Sequence, residues 1–502
     1  MITTCCLHSH MFFRRLLPFA LSLLLILTPL SGAADGLPEL GESAQTELSP
    51  QMEQRIGRDL MNEIMLKERT YIDDPEINDY LNQLGQRLVA ASPDPTGNFN
   101  FFVLRDPEIN AFAMFGGYIG TNTGTLLAAE NESELAGVLA HEISHVTQHH
   151  LARQIALSKQ QSLLGMIAMG VALLAARSNA ELAGAGVTAV GAATVQSQLA
   201  FSRDFEREAD RFGYETLEKA GFDPRGISDF FIRLQKATRV YENNAPVYLR
   251  THPLTLERIS DMQNRAQNAP YRQVPDSLEF HLIRTKLRAQ EGSPQEARAA
   301  FESALQSKKF SSEAALHYGI AATFRRERNY AAAQKELDWL SQHKIASPMI
   351  RLLAAQTRAD SGDAAGAQAL FRAAHQRYPQ ARALSYGYIS ALLDDKKAQA
   401  ALEFIESEQL IYRQDFRFHE FTARAHAALG HELQKHRALA EMAYLQGLLP
   451  AALEQLRMAQ NAHDGNFYEH SIVDARMREL RKEFDDREKE RRSGALPLSG
   501  AH

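Results

Sequence analysis

The chain has 502 residues, 45% of them apolar and 23% charged, with a formal net charge of -6. That length suits two or three domains. The charge excludes a nucleic-acid binder, which needs a clustered excess of lysine and arginine to neutralise phosphates. The two cysteines, Cys5 and Cys6, are adjacent near the N-terminus, so the remainder holds neither a disulfide framework nor a thiol nucleophile.

Residues 1–33 read as a signal peptide. Arg14 and Arg15 precede an apolar stretch, 16–27, and the small residues Ser31, Gly32 and Ala33 follow it. The apolar stretch contains Pro18 and is too short to span a bilayer comfortably, so cleavage is expected rather than anchoring. Export to the periplasm follows if the source is a Gram-negative cell. Residues 34–48 form a polar linker. Ser49 then caps a helix with Pro50 behind it, and Ile56, Leu60 and Ile64 recur every fourth residue. Asp74 and Pro75 open a second helix that presents Ile77, Leu81, Leu84 and Leu88 inward. The period changes to two over 99–104, where Phe99, Phe101 and Val103 alternate with Phe102 and Leu104, as in a strand. The stretch 109–115 reaches Gly116 and Gly117, and 118–121 is its expected hairpin partner. Asn131, with Glu134 three residues on, marks a capped helix that carries Leu135, Val138 and Leu139 to the core.

Residues 163–176 are continuously apolar and 180–193 are rich in glycine and alanine. They read as a buried helix or helical hairpin, with peripheral membrane contact through 163–193 as the alternative. Beyond about residue 276 the pattern is helical and repetitive. Ala297, Ala333, Ala367 and Ala400 recur at spacings of 36, 34 and 33, each followed one turn later by Phe301, Leu337, Phe371 or Phe404. A small residue that admits a neighbouring helix, then a large one that fills the gap, resembles tetratricopeptide repeats. Weaker repeats extend through Ala452 and Leu456. The expected domains are a peptidase-like domain over 49–272, the repeats over 273–487 and a disordered tail over 488–502.

Chemistry concentrates on His141-Glu142-Ile143-Ser144-His145. Two histidines four apart on a helix share one face and can reach one zinc. Glu142 lies about 100° round the helix, placed to take a proton from a water that zinc has made more acidic. A third protein ligand is needed. Gln148 and Leu151 occupy the positions that a metzincin extension requires, and His149 and His150 read as surface histidines. The better source is downstream, where Glu206 and Asp210 share a face. Glu206 is assigned to the metal, Asp210 to a ligand histidine's other nitrogen, and Glu208 to solvent.

The HExxH motif followed by Ser202-Arg203-Asp204-Phe205-Glu206-Arg207-Glu208-Ala209-Asp210 resembles the M48 family of metallopeptidases. The resemblance implies one zinc per chain on His141, His145 and Glu206, with Glu142 as general base. It also implies work on outer-membrane protein assembly. Unfolded or stalled outer-membrane proteins would be substrates, and the repeats would meet the assembly machinery. Asn110-Ala111-Phe112-Ala113 resembles the family's substrate-binding edge strand, and Thr251-His252-Pro253 with Arg258 resembles its HP segment. His252 would either donate to the oxyanion or take the fourth zinc position. The expected fold is α+β, a mostly helical zincin-like domain with a small sheet followed by an all-α repeat solenoid. The rival reading is a chaperone or adaptor with a latent or closed zinc site.

Overall fold

The computed structural model describes residues 49–157, 203–240, 247–268 and 273–492. The expected signal peptide, the linker and the apolar segment 163–193 lie outside the described residues. Helix α1 (Pro50–Lys67) starts at Ser49, whose Oγ accepts from Met52 N–H. Helix α2 (Pro75–Val89) starts at Asp74, whose carboxylate accepts from the N–H groups of Glu76 and Ile77. Strand β1 (Asn100–Leu104) presents two apolar faces. Phe101 and Val103 join Ile77, Leu81, Leu84 and Leu88 of α2 in the main core, and Phe102 and Leu104 meet Met61 and Ile64 of α1. The period-two pattern thus places the sheet between helices.

Strands β2 (Ala111–Ala113) and β3 (Tyr118–Asn122) form the expected antiparallel pair, and β1 joins β3 in parallel, giving the order β1-β3-β2. The turn between β2 and β3 requires Gly117 at φ +80, because a Cβ there would lie 1.9 Å from Asn98 O. A short helix α3 (Thr123–Ala128) leads to α4 (Glu132–Thr147), capped by Asn131, whose Oδ1 accepts from Glu134 N–H. Helix α4 is buried on all sides from Glu132 to His145. Helix α5 (His150–Leu157) follows, then α6 (Arg203–Lys219), α7 (Arg225–Val240), α8 (Val247–Thr251) and α9 (Leu256–Asn268). Helices α2, α6 and α7 and strand β2 all pack on α4. Among the described residues no helix is long and apolar enough to cross a membrane.

The repeats are helix pairs. They are α10 (Leu278–Gln290) with α11 (Pro294–Gln306), α12 (Glu313–Arg326) with α13 (Tyr330–Gln342), and α14 (Pro348–Asp360) with α15 (Ala364–Arg377). Next come α16 (Arg382–Asp394) with α17 (Ala398–Gln409), α18 (Phe416–Leu429) with α19 (Glu432–Leu445), and α20 (Leu449–Gln460) with α21 (Phe467–Arg492). Ala333, Leu337, Ala367 and Phe371 are buried as expected. In α17 the frame differs by one residue. Ala400 is exposed and Phe404 half-buried, whereas Ala401 and Ile405 are 0% and 1% exposed and lie 34 residues after Ala367 and Phe371. Helix α21 also runs past residue 487 to Arg492, and Glu490 there receives Arg55 of α1 at 2.6 Å.

The repeats are docked on the peptidase half. The main core continues from α4 through Phe280, Ile283, Tyr318 and Leu353, without a break near residue 272. Lys286 reaches Asp74 and Glu76, Arg382 reaches Asp79, and Arg417 reaches Asp73, so three repeat helices grip the acidic start of α2. Glu132 accepts from the N–H and hydroxyl of Ser277, and its own N–H donates to Asp276. Ser277 is the N-cap of α10. The first turn of α4 is therefore tied to the first turn of the repeats.

Candidate metal centre

Helix α4 supplies His141, Glu142 and His145, α6 supplies Glu206 and Asp210, and His252 follows α8. Helix α6 comes close because residue 213 is glycine, where a Cβ would stand 3.1 Å from His141 N. The Nε2 atoms of His141 and His145 are 3.1 Å apart. Glu206 closes the triangle, with Oε2 3.4 Å from His141 Nε2 and Oε1 3.5 Å from His145 Nε2. A tetrahedral zinc with bonds near 2.0–2.1 Å spaces its donors about 3.3 Å apart, so these side chains fit that ion. His252 joins them, the four donor atoms lying within 4.8 Å of one another. Its Nδ1 is 2.9 Å from Glu206 Oε1 and its Nε2 is 3.6 Å from Glu142 Oε1.

Asp210 Oδ1 lies 3.1 Å from His141 Nδ1. Arg258 holds Asp210 by two hydrogen bonds, of 2.7 and 2.8 Å, and donates to Pro253 O beside His252. Its third nitrogen is 2.7 Å from Glu206 Oε2. Both Glu142 oxygens are buried and lack a well-formed hydrogen bond. Burial pushes this carboxyl up, against the opposing pull of His252, His141 and the Ala113 backbone N–H.

That last contact locates the edge strand. Met114 N–H donates to Tyr118 O and Asn122 N–H to Asn110 O, so residues 110, 112 and 114 face β3. Ala111 and Ala113 therefore turn their backbone groups away from β3, to the side of β2 where no described strand pairs, and Ala111 is fully buried there. Asn110 is narrower in use than expected, since Thr125 Oγ1 donates to its carbonyl and accepts its N–H.

The profile of Peptidase family M48 matches residues 75–266. The Beta-barrel assembly-enhancing protease of Yersinia pestis is 31% identical over 476 residues, 92% of this chain and 97% of that protein. Its Escherichia coli K12 counterpart is 30% identical over 455 residues, 90% and 92% of the two chains. A Vibrio cholerae protein named Putative beta-barrel assembly-enhancing protease is 41% identical over 251 residues, 50% of this chain and 51% of its own length.

The chain belongs to peptidase family M48. It is accordingly a zinc metalloendopeptidase.

The site's charges suit an M48 centre. Burial would raise Glu206, but His252, His141 and Arg258 hold it well below the usual carboxylate range, so it stays ionised. Burial lowers His145 well below the ordinary imidazole value and keeps it neutral. Burial would also lower His141, yet Asp210 and Glu206 push it up to about 9.

Two expectations about nearby side chains fail. His150 is not a surface histidine; it is 0% exposed, and its Nδ1 lies 2.9 Å from His145 Nδ1. Glu208 is only partly solvated, because it meets His150 Nε2 at 3.3 Å and Arg153 at 2.9 Å. His149, by contrast, is half-exposed. Sequence reasoning also passed over Tyr248, whose ring stacks on His252 at 4.7 Å with its hydroxyl buried. Its place four residues before His252 was the available signal.

Proposed function

We propose that this M48 peptidase works in the periplasm, degrading stalled outer-membrane β-barrel proteins and assisting others to assemble. The reading is supported by the names of relatives that align over nine-tenths of the chain, and by repeats docked beside a peptidase centre. The observation that carries it is the buried donor group His141, His145, Glu206 and His252 next to a strand edge that no described strand pairs. One zinc per chain would be held by His141, His145 and Glu206.

When bound, the ion supplies Lewis acidity towards a water and a peptide carbonyl. An extended segment of an unfolded client adds along the edge of β2 at Ala111 to Ala113, a mode that reads backbone rather than side chain. That docking passes the peptide over Glu142, the base that accepts the water's proton and returns it to the leaving amine. Asp210, fixed by Arg258, orients His141. His252 lies close enough to serve as a fourth donor, which favours a resting state with restrained cleavage. The test is zinc analysis combined with degradation of an unfolded β-barrel protein. Wild type is expected to hold one zinc and cleave, and His252→Ala to cleave faster. Slower cleavage makes His252 a transition-state donor instead. Unchanged cleavage removes both roles.

A second reading, a chaperone whose site stays closed, is favoured by the same proximity of His252. It predicts that His252→Ala leaves client folding unchanged and that wild type never cleaves.

A further inference from the structure

The two ligand histidines are supported differently. His141 backs onto the carboxylate of Asp210, whereas His145 backs onto another imidazole, His150. We propose that His150, held by Glu208, is a positioning residue that fixes the orientation and proton placement of His145. The proposal rests on the assignment of His145 as a metal ligand.

Ring chemistry makes each step force the next. A neutral imidazole has one donor nitrogen and one acceptor. A metal on His145 Nε2 uses that lone pair, so the His145 proton sits on Nδ1. That N–H points at His150 Nδ1, 2.9 Å away, which must then be the acceptor. His150 therefore carries its own proton on Nε2, 3.3 Å from Glu208 Oε2. Arg153 anchors the same carboxylate oxygen at 2.9 Å. The chain Arg153, Glu208, His150, His145 ends at the metal side of the ring.

Local backbone geometry puts His150 there. His149 adopts φ 52, which ends α4 and lets α5 restart at His150. The turn swings His150 back towards the preceding helix instead of onwards along it. Its ring then stacks on Phe205, with centroids 4.6 Å apart and planes 13° from parallel. Phe205 precedes Glu206, so the stack also ties His150 to the third metal ligand.

A purely packing role for His150 predicts something different, and two variants separate the roles. His150→Phe keeps an aromatic ring for Phe205 and removes the acceptor. His150→Gln keeps an oxygen acceptor and loses the ring. Zinc affinity, read by competition with a chromogenic chelator, is expected to fall roughly 10–100-fold in His150→Phe. His150→Gln is expected to retain most of it. Melting of the metal-free proteins should rank the other way, with His150→Gln the less stable. Zinc affinities that follow the melting order overturn the proposal, as does equal affinity in His150→Phe and wild type. A wild type without zinc, or His145→Ala binding as tightly as wild type, overturns the ligand assignment itself, a separate result.

Discussion

Both halves of the molecule bury apolar side chains, but the peptidase half also buries a cluster of charged ones. Around α4, His141, Glu142, His145, Glu206, Asp210, His252 and Arg258 are each 2% exposed or less. The repeats bury alanine against Phe371, Leu384, Ile389 and Phe418 instead. Buried charge is costly unless paired, and even paired it stabilises little. Apolar burial is favourable at about 25 cal/mol per Å². Apolar burial thus stabilises both halves, and the peptidase half holds in addition a polar group that stability alone would not select. An exception within the repeats is Glu408, buried with Ser385 at 2.6 Å and His375 at 3.4 Å, a network that joins two helix pairs.

Changes on the two sides should separate function from stability. The largest expected effect is Glu142→Gln, which should lower cleavage by about 10²–10⁴-fold while zinc content stays at the wild-type value. Because it replaces a buried carboxyl that lacks good partners, the variant should melt no lower than wild type. A lower melting temperature would break the contrast. Phe371→Ala should do the reverse, costing about 3–5 kcal/mol in denaturant unfolding with zinc content intact. Lys286→Met tests the junction. It strands Asp74 and Glu76, and a loss of about 1–3 kcal/mol is expected. A loss near zero would mean that the apolar core alone joins the halves.

The smallest expected effect is a pH dependence at Glu53, the residue of α1 whose carboxyl burial pushes up to about 7. An acid whose folded value is raised favours the folded state below its unfolded value. That contribution is lost as pH rises from there through about 7. Wild type should therefore melt progressively lower between pH 5 and pH 8 relative to Glu53→Gln. Parallel melting curves across that range would exclude it.

The sequence made the periodic parts legible. Capping residues and apolar spacing located α1, α2 and α4, and alternation located β1 with both its faces. His141, Glu142, His145, Glu206 and Asp210 could be read because two helical spacings of four each aim a pair of side chains at one point. His150 could not, since continuing the helix through it points the ring away from His145. Only the left-handed turn at His149 reverses that. Glu208 was misplaced for the same reason, its environment being set by α5 and not by its own helix. The frame at Ala401 was missed because Ala400 and Phe404 offer the same small-then-large pair one residue earlier. The ion pairs from Lys286, Arg382 and Arg417 to α2 join residues more than 200 apart, beyond any local pattern.

The tie between Glu132 and the Asp276–Ser277 pair bears on where the chain can be divided. A cut at residue 272 would remove the partners of the first turn of α4 and bare the faces that meet Phe280 and Ile283. The peptidase half is thus no detachable module. The helix that carries His141 is capped by its own Asn131 but shares its opening turn with the first repeat through Glu132.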